Sequence, residues 1–128
     1  MKEPIEAVLF SKEHSYWTKL RQVFTGKKAL SDDEADVIFD TYLGLYESNW
    51  TLFADVENCL NDLNGLKLGI ISNGDAFQQK QKLVTLGIAD RFSTIVISGE
   101  VGMTKPEAEI FHLACRKAGV TPSDCWHI

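Results

Sequence analysis

The chain has 128 residues, 45% of them hydrophobic and 24% charged, with a formal net charge of -5. Its pI lies near 5.1 and its mean hydropathy is -0.10, the profile of one compact soluble domain with room for a small helical insert. The acidic balance, without a Lys/Arg cluster since Lys27-Lys28 is only a pair, argues against a nucleic-acid partner. Cys59, Cys115 and Cys125 form neither a CxxC pair nor an even set, so no disulfide framework is expected and a reducing cytoplasm fits. No apolar run has the length of a membrane span. The mostly apolar run behind Met1-Lys2-Glu3-Pro4 is too short for a signal-peptide core, so no membrane partner is expected.

In chain order, Ile5-Glu6-Ala7-Val8-Leu9-Phe10 reads as a short buried strand behind a proline, with a helix start as the alternative. Trp17, Leu20 and Phe24 predict a helix over 13–25, stopped by Gly26. Ser31 with Glu34 three residues later has the capping-box arrangement. A long amphipathic helix should follow to about residue 48, with Val37, Ile38, Tyr42, Leu45 and Tyr46 as its apolar stripe. Ala54 or Asp55 opens another helix, with Val56, Leu60 and Leu63 on its inner face, ending near Asn64-Gly65.

The pattern then changes. Leu66-Lys67-Leu68-Gly69-Ile70-Ile71 is a near-continuous apolar run, as in a fully buried parallel strand, and stops at Ser72-Asn73-Gly74-Asp75. A helix runs to Leu86 and closes at Gly87, and Thr94-Ile95-Val96-Ile97-Ser98 is the next strand. After a loop, Pro106 should open a helix, with Glu107 and Glu109 in its first turn to suit the helix dipole. Ile110, Phe111, Leu113 and Ala114 give that helix one apolar face, and Gly119 ends it. Thr121-Pro122-Ser123-Asp124 reads as a turn, and Cys125-Trp126-His127-Ile128 as the start of a last strand holding His127 in a structural position. The alternation of helix and strand from residue 55 onward predicts a parallel α/β sheet with right-handed crossovers.

Ligands of an open parallel sheet bind at the carboxyl ends of its strands. Ser72 and Asn73 sit at one such end, Ser98-Gly99-Glu100 at the next, and Lys105 in the loop beyond. A hydroxyl, backbone N–H groups at a Gly-containing turn and an ammonium would there form an oxyanion or phosphate cradle. Taken singly, Ser-Asn-Gly-Asp is a common turn and Lys-Pro a common pre-helix dipeptide with a solvated lysine. The joint arrangement on consecutive βα units is the more specific signal.

The residues also carry a resemblance. Leu68-Gly69-Ile70-Ile71-Ser72-Asn73-Gly74 resembles the second motif of haloacid dehalogenase-like hydrolases, and Leu86-Gly87-Ile88 followed by Phe92 resembles their next connection. Ser98-Gly99-Glu100-Val101-Gly102 with Lys105-Pro106-Glu107-Ala108-Glu109-Ile110-Phe111 resembles the third motif and its helix. The resemblance covers residues 50–128 closely and the helical segment more loosely. It implies a Rossmann-like parallel sheet with flanking helices and a partial helical cap inserted after the first strand. The expected division is 1–11 as first core strand, 12–50 as partial cap and 51–128 as α/β core.

In that family an aspartate attacks a phosphoryl group, or a halogen-bearing carbon in the dehalogenases. By the resemblance Ser72, Asn73, Gly74 and Lys105 would bind the phosphoryl group, Ser72 and Lys105 would also act in catalysis, and Mg²⁺ is implied as cofactor. Two elements depart from the pattern. Ala7-Val8-Leu9-Phe10 is the right strand for the first motif, but Ser11-Lys12-Glu13 follows instead of Asp-x-Asp, which puts Ser11 at the nucleophile position. A serine there lacks the charge to attack or to hold Mg²⁺ without a general base. The fourth motif, with the other metal carboxylate, should come just after Ile128. Only 61 positions separate Ser11 from Ser72, short for a complete helical cap, so the expectation is that a peptide after Phe10 is deleted or unrecorded. Val37-Ile38-Phe39-Asp40-Thr41 mimics the first motif, but it lies inside a capped amphipathic helix and is rejected.

No Cys/His spacing suggests zinc, His14 and His112 read as helix-surface residues, and no GxGxxG or GxxxxGK[ST] loop is present. Trp17, Tyr42, Tyr46 and Trp50 read as cap core rather than a stacking platform. The function expected is hydrolysis of a small phosphorylated metabolite through an aspartyl-phosphate in the complete protein. Haloacid dehalogenation is the chemical rival, and a non-catalytic pseudo-enzyme or receiver-like signalling domain is the alternative from another class.

Overall fold

The computed structural model describes residues 31–128, apart from the side chain of Asp32. The expected strand over 5–10, the helix over 13–25, Ser11, Glu13, His14 and Trp17 lie outside the described residues. The chain divides into two compact units, one ending at Trp50 and one running Thr51–Ile128. Among the described residues no helix is long and apolar enough to cross a membrane.

In the first unit, helix α1 (Asp32–Ser48) begins as the sequence predicts. Ser31 Oγ accepts from the Glu34 N–H at 3.2 Å, and Glu34 Oε2 accepts from the Ser31 N–H at 2.9 Å. Two otherwise orphaned donors are thereby satisfied reciprocally. The buried stripe differs from the expectation. Ala35 and Phe39 are buried and Tyr42 and Tyr46 half-buried, whereas Val37 and Leu45 are 66% and 61% exposed. The steps 35, 39, 42 and 46 follow one helical face, while Val37 falls on the opposite side and Leu45 on the flank. Tyr46 stacks on Tyr42 and meets Trp50 edge-on, and Asp40 sits exposed in mid-helix.

In the second unit, helix α2 (Val56–Asp62) buries Leu60. Strand β1 (Gly69–Ser72) pairs in parallel with β2 (Thr94–Ile97), Gly69 opposite Thr94 and Ser72 opposite Ile97. Helix α3 (Ala76–Thr85) connects them, ending at Gly87 with φ 70°. The parallel α/β arrangement read from the sequence is therefore present. β1 is shorter than predicted, starting at Gly69, although the Ser93 N–H and Oγ both donate to Leu68 C=O and continue the contact just before the regular ladder. It is also not fully buried: Gly69 is exposed and the rest half-buried, with β2 as the only strand beside it among the described residues.

After β2 the structure departs from the expected loop. Ser98 opens a one-turn helix, α4 (Ser98–Val101), closed by Gly102. Helix α5 (Ala108–Ala118) starts two residues later than predicted, and Pro106 lies in the preceding turn rather than at the first helical position. The reason is local. The Glu107 carboxylate turns back to accept from Thr104 N–H at 3.0 Å and Thr104 Oγ1 at 2.6 Å, while Glu107 N–H donates to Thr104 C=O at 2.8 Å. That closed turn engages Glu107 before the helix can begin.

α5 packs across both strands, and Val96, Ile97 and Ile110 at their junction have no exposed surface. Burying a side chain of this size contributes roughly 1.5–3 kcal/mol. Lys67 Nζ donates to Ala118 C=O at 2.9 Å, closing the carboxyl end of α5 against the loop before β1. The short 3₁₀ turn Pro122–Asp124 follows. Cys125–Ile128 is exposed and pairs with no strand among the described residues, so His127 is not in a buried strand but lies against Phe111, ring centroids 4.8 Å apart. A strand needs a neighbour to complete its ladder, and none of the described residues supplies one there.

Candidate functional site

The register sets the site. Since Ser72 lies opposite Ile97, the chains leave both strands level with each other, and Asn73 and Ser98 emerge side by side. Gly74 makes the first turn possible with φ 144°, a conformation that side chains disfavour. A Cβ there would also stand 2.9 Å from Nε2 of the buried Gln79. Asp75 then caps α3, its Oδ1 accepting from Gln78 N–H at 2.9 Å.

Ser98 and Gly99 hold this turn from the neighbouring strand end. Gly74 N–H donates to Ser98 Oγ at 2.9 Å, and Gly99 N–H donates to Gly74 C=O at 3.0 Å. A Cβ on Gly99 would sit 2.6 Å from Gly74 O and 3.2 Å from Ala76 N, so the two backbones touch because residue 99 has no side chain. Sequence reasoning placed Ser98 and Gly99 at a strand end without assigning either of them this support. The available signal was a small residue pair directly after a buried β-branched run.

Asn73 joins the two motifs. Its Oδ1 accepts from Lys105 N–H at 2.8 Å and its Nδ2 donates to Lys105 C=O at 3.1 Å. The carboxamide is thus satisfied by the Lys105 backbone and is not itself free to hold a ligand. Ser72 is half-buried, and its hydroxyl makes one long contact of 3.4 Å to Asn73 C=O, weak by its length. That hydroxyl remains open to a stronger acceptor.

Lys105 is half-buried, and among the described residues no carboxylate lies within ion-pair distance of its ammonium. The nearby acids are engaged elsewhere. Glu100 pairs with Lys80 at 2.9 Å, and this hydrogen bond, followed by the charge of Lys80, holds its carboxyl below the usual glutamate range. Glu107 is held below that range by hydrogen bonds from the Thr104 side chain, then from the Thr104 backbone. Asp75 is a helix cap. None of these carboxylates fits as a ligand for Mg²⁺, and no group of three or more His, Cys, Asp or Glu residues among the described residues is arranged to hold a metal. Gln78 is a further feature that sequence reasoning missed: it is 4% exposed, and its Oε1 has no hydrogen-bond partner.

Comparison with known proteins gives the following. A family model described as haloacid dehalogenase-like hydrolase matches residues 5–128. Over 64 residues the chain is 42% identical to the glyceraldehyde 3-phosphate phosphatase of Methanopyrus kandleri, covering 50% of this chain and 28% of that protein. Over 60 residues it is 43% identical to the phosphoserine phosphatase of Thermus thermophilus, covering 47% of this chain and 24% of that protein. These matches thus span about a quarter of the relatives' length. A crystal structure of a predicted phosphoglycolate phosphatase from Haemophilus somnus 129pt superposes with a TM-score of 0.67 at 21% identity, covering 96% of this chain and 59% of that one. That likeness is one of fold.

Proposed function

The chain belongs to the haloacid dehalogenase-like hydrolase family, and on that premise we propose that it carries the anion-binding half of a phosphatase site for a small phosphorylated metabolite. The observation that carries this reading is the bridge from Asn73 to Lys105, which couples two strand-end motifs into one unit. In this reading the Ser72 hydroxyl and the Asn73 backbone N–H hold phosphoryl oxygens. The Lys105 ammonium offsets their charge, a pairing that is strong because the donor is ionised. Gly74 serves through its turn, since its N–H is engaged by Ser98 Oγ. The named relatives are phosphatases of small phosphorylated compounds, which supports the substrate class.

By the family reading, hydrolysis would pass through an aspartyl-phosphate. In this chain Ser11 stands where the attacking aspartate is expected. Mg²⁺ is the cofactor the family implies. The described residues offer it no fitting ligand set, and no step here runs through it. We place the protein in the cytoplasm on its cysteine usage.

The test is a titration of the 128-residue chain with inorganic phosphate or vanadate, followed by backbone amide NMR. Shifts should centre on Ser72, Asn73 and Lys105, and Lys105→Ala should weaken binding about tenfold, or about 1.4 kcal/mol. Binding unchanged by both Lys105→Ala and Ser72→Ala would overturn the reading. Turnover of a generic phosphomonoester with Mg²⁺ by this chain should be negligible; strong turnover abolished by Lys105→Ala would show that Ser11 or another group replaces the aspartate.

A further inference from the structure

Two of the three cysteines meet on the surface. Cys115 is half-buried in the last turns of α5, and Cys125 is exposed just after the 3₁₀ turn Pro122–Asp124. Their Sγ atoms are 3.8 Å apart, although ten positions separate them in sequence. The chain is folded back to bring this about. Val120 N–H donates to Cys115 C=O at 3.1 Å, and Thr121 Oγ1 donates to Asp124 Oδ2 at 2.6 Å. Cys125 Sγ donates to Thr121 C=O at 3.3 Å. Beyond this turn the Phe111–His127 ring contact holds the end of the segment on α5. Cys59 is exposed on α2 and belongs to no such pair.

We propose that Cys115 and Cys125 form a reversible dithiol–disulfide site that closes by exchange with a low-molecular-weight disulfide. A thiolate of the pair attacks one sulfur of the small disulfide and expels a small thiolate, which takes up a proton, leaving a mixed disulfide on the cysteine. The second cysteine, as thiolate, attacks the protein sulfur of that mixed disulfide and expels the second small thiol. The two cysteines together lose two electrons and two protons, and the small disulfide is reduced to two thiols. From sulfur contact to a bond requires an approach of about 2 Å. Cys125 can supply it because it is exposed and, among the described residues, its segment pairs with no strand, the Phe111–His127 contact lying two residues further on. Desolvation, then the hydrogen bond with Cys115, holds the Cys125 thiol above its usual pKa. Closure fastens Cys125–Ile128 to α5, and it depends in no way on the phosphatase reading.

The experiment exposes the 128-residue chain to oxidised glutathione, blocks free thiols by alkylation and maps tryptic peptides by mass spectrometry. Cleavage after Arg116 and Lys117 separates the two cysteines, so a bond between them appears as a joined peptide pair. The expected product is that pair with Cys59 outside it, restored to free thiols by dithiothreitol. Its formation should be about tenfold slower in guanidinium, where only chain proximity remains. Removing one partner, as Cys115→Ser or Cys125→Ser, should trap glutathione on the remaining cysteine in at least one of the two variants. The proposal fails if both cysteines keep glutathione, if joined peptides contain Cys59 in equal yield, if guanidinium leaves the rate unchanged, or if neither single variant traps glutathione on the remaining cysteine.

Discussion

Asn73 and Lys105 lie 32 positions apart in sequence, yet one carboxamide grips one residue's backbone on both sides, with Lys105 N–H on Oδ1 at 2.8 Å and Lys105 C=O on Nδ2 at 3.1 Å. The contact ties the loop before α5 to the end of β1. Asn73→Ala removes both bonds and should destabilise the chain by about 1–3 kcal/mol, because partly buried backbone groups lose their partners. It should also weaken phosphate binding while leaving the Lys105 charge intact. Asn73→Asp keeps the acceptor but sets a carboxylate against the Lys105 carbonyl, and should weaken binding further. Urea denaturation and phosphate titration of both variants check this; unchanged values for Asn73→Ala would mean that the bridge does not position Lys105.

Gly99→Ala places a methyl group 2.6 Å from Gly74 O and 3.2 Å from Ala76 N. Backbone atoms at a tight turn yield less readily than the tip of a flexible side chain, so the expected loss is about 1–3 kcal/mol. The Gly74 and Asp75 amide resonances should shift with it. A stability equal to that of the parent chain would contradict the close approach.

Gly44 offers the opposite case. It lies exposed within α1, and a Cβ there meets nothing within 4 Å among the described residues. Gly44→Ala should stabilise by about 0.5–1 kcal/mol through helix propensity alone. Helicity by circular dichroism and the urea midpoint should rise together, whereas a loss of stability would show that the glycine is needed by a contact.

Glu100 and Glu107 should respond differently to salt. Both carboxyls titrate below the usual glutamate range, Glu100 through Lys80 and Glu107 through hydrogen bonds from Thr104. A depressed carboxyl contributes stability above its unfolded-state pKa and loses that contribution as pH falls through the folded-state value. Carboxyl NMR titration in about 1 M salt should move Glu100 upward, since exposed charges are then screened, and leave Glu107 nearly in place. Lys80→Ala should raise Glu100 in the same direction. Equal movement of both groups would refute the assignment of causes.

Much of the local structure is legible in the sequence. Ser31 and Glu34 announce the start of α1, the β-branched run over residues 94–97 announces β2, and Gly87 and Gly119 mark helix ends, because caps, β-branching and positive φ act within a few residues of themselves. The stripe of α1 was harder to read: apolar residues occur around much of the helix, and periodicity alone does not select Ala35 and Phe39 over Val37 and Leu45. The start of α5 was misplaced since Pro106 suits a first helical position, while the Thr104–Glu107 bonds that preempt it require a side chain to fold back.

The sequence by itself determined which groups follow the two strands: a hydroxyl at residue 72, an amide at 73 and, in the loop beyond the second strand, an ammonium at 105. Only the tertiary structure decided their tasks. Parallel register brought the strand ends level, whereupon Asn73 became a bridge to the Lys105 backbone, Gly74 was engaged by Ser98, and Gly99 became the point of backbone contact. It likewise brought Cys115 against Cys125. The reason is common to all of these: a hydrogen bond or sulfur contact depends on distances of a few ångströms between residues distant in sequence, and packing of α5 on β1 and β2 sets those distances.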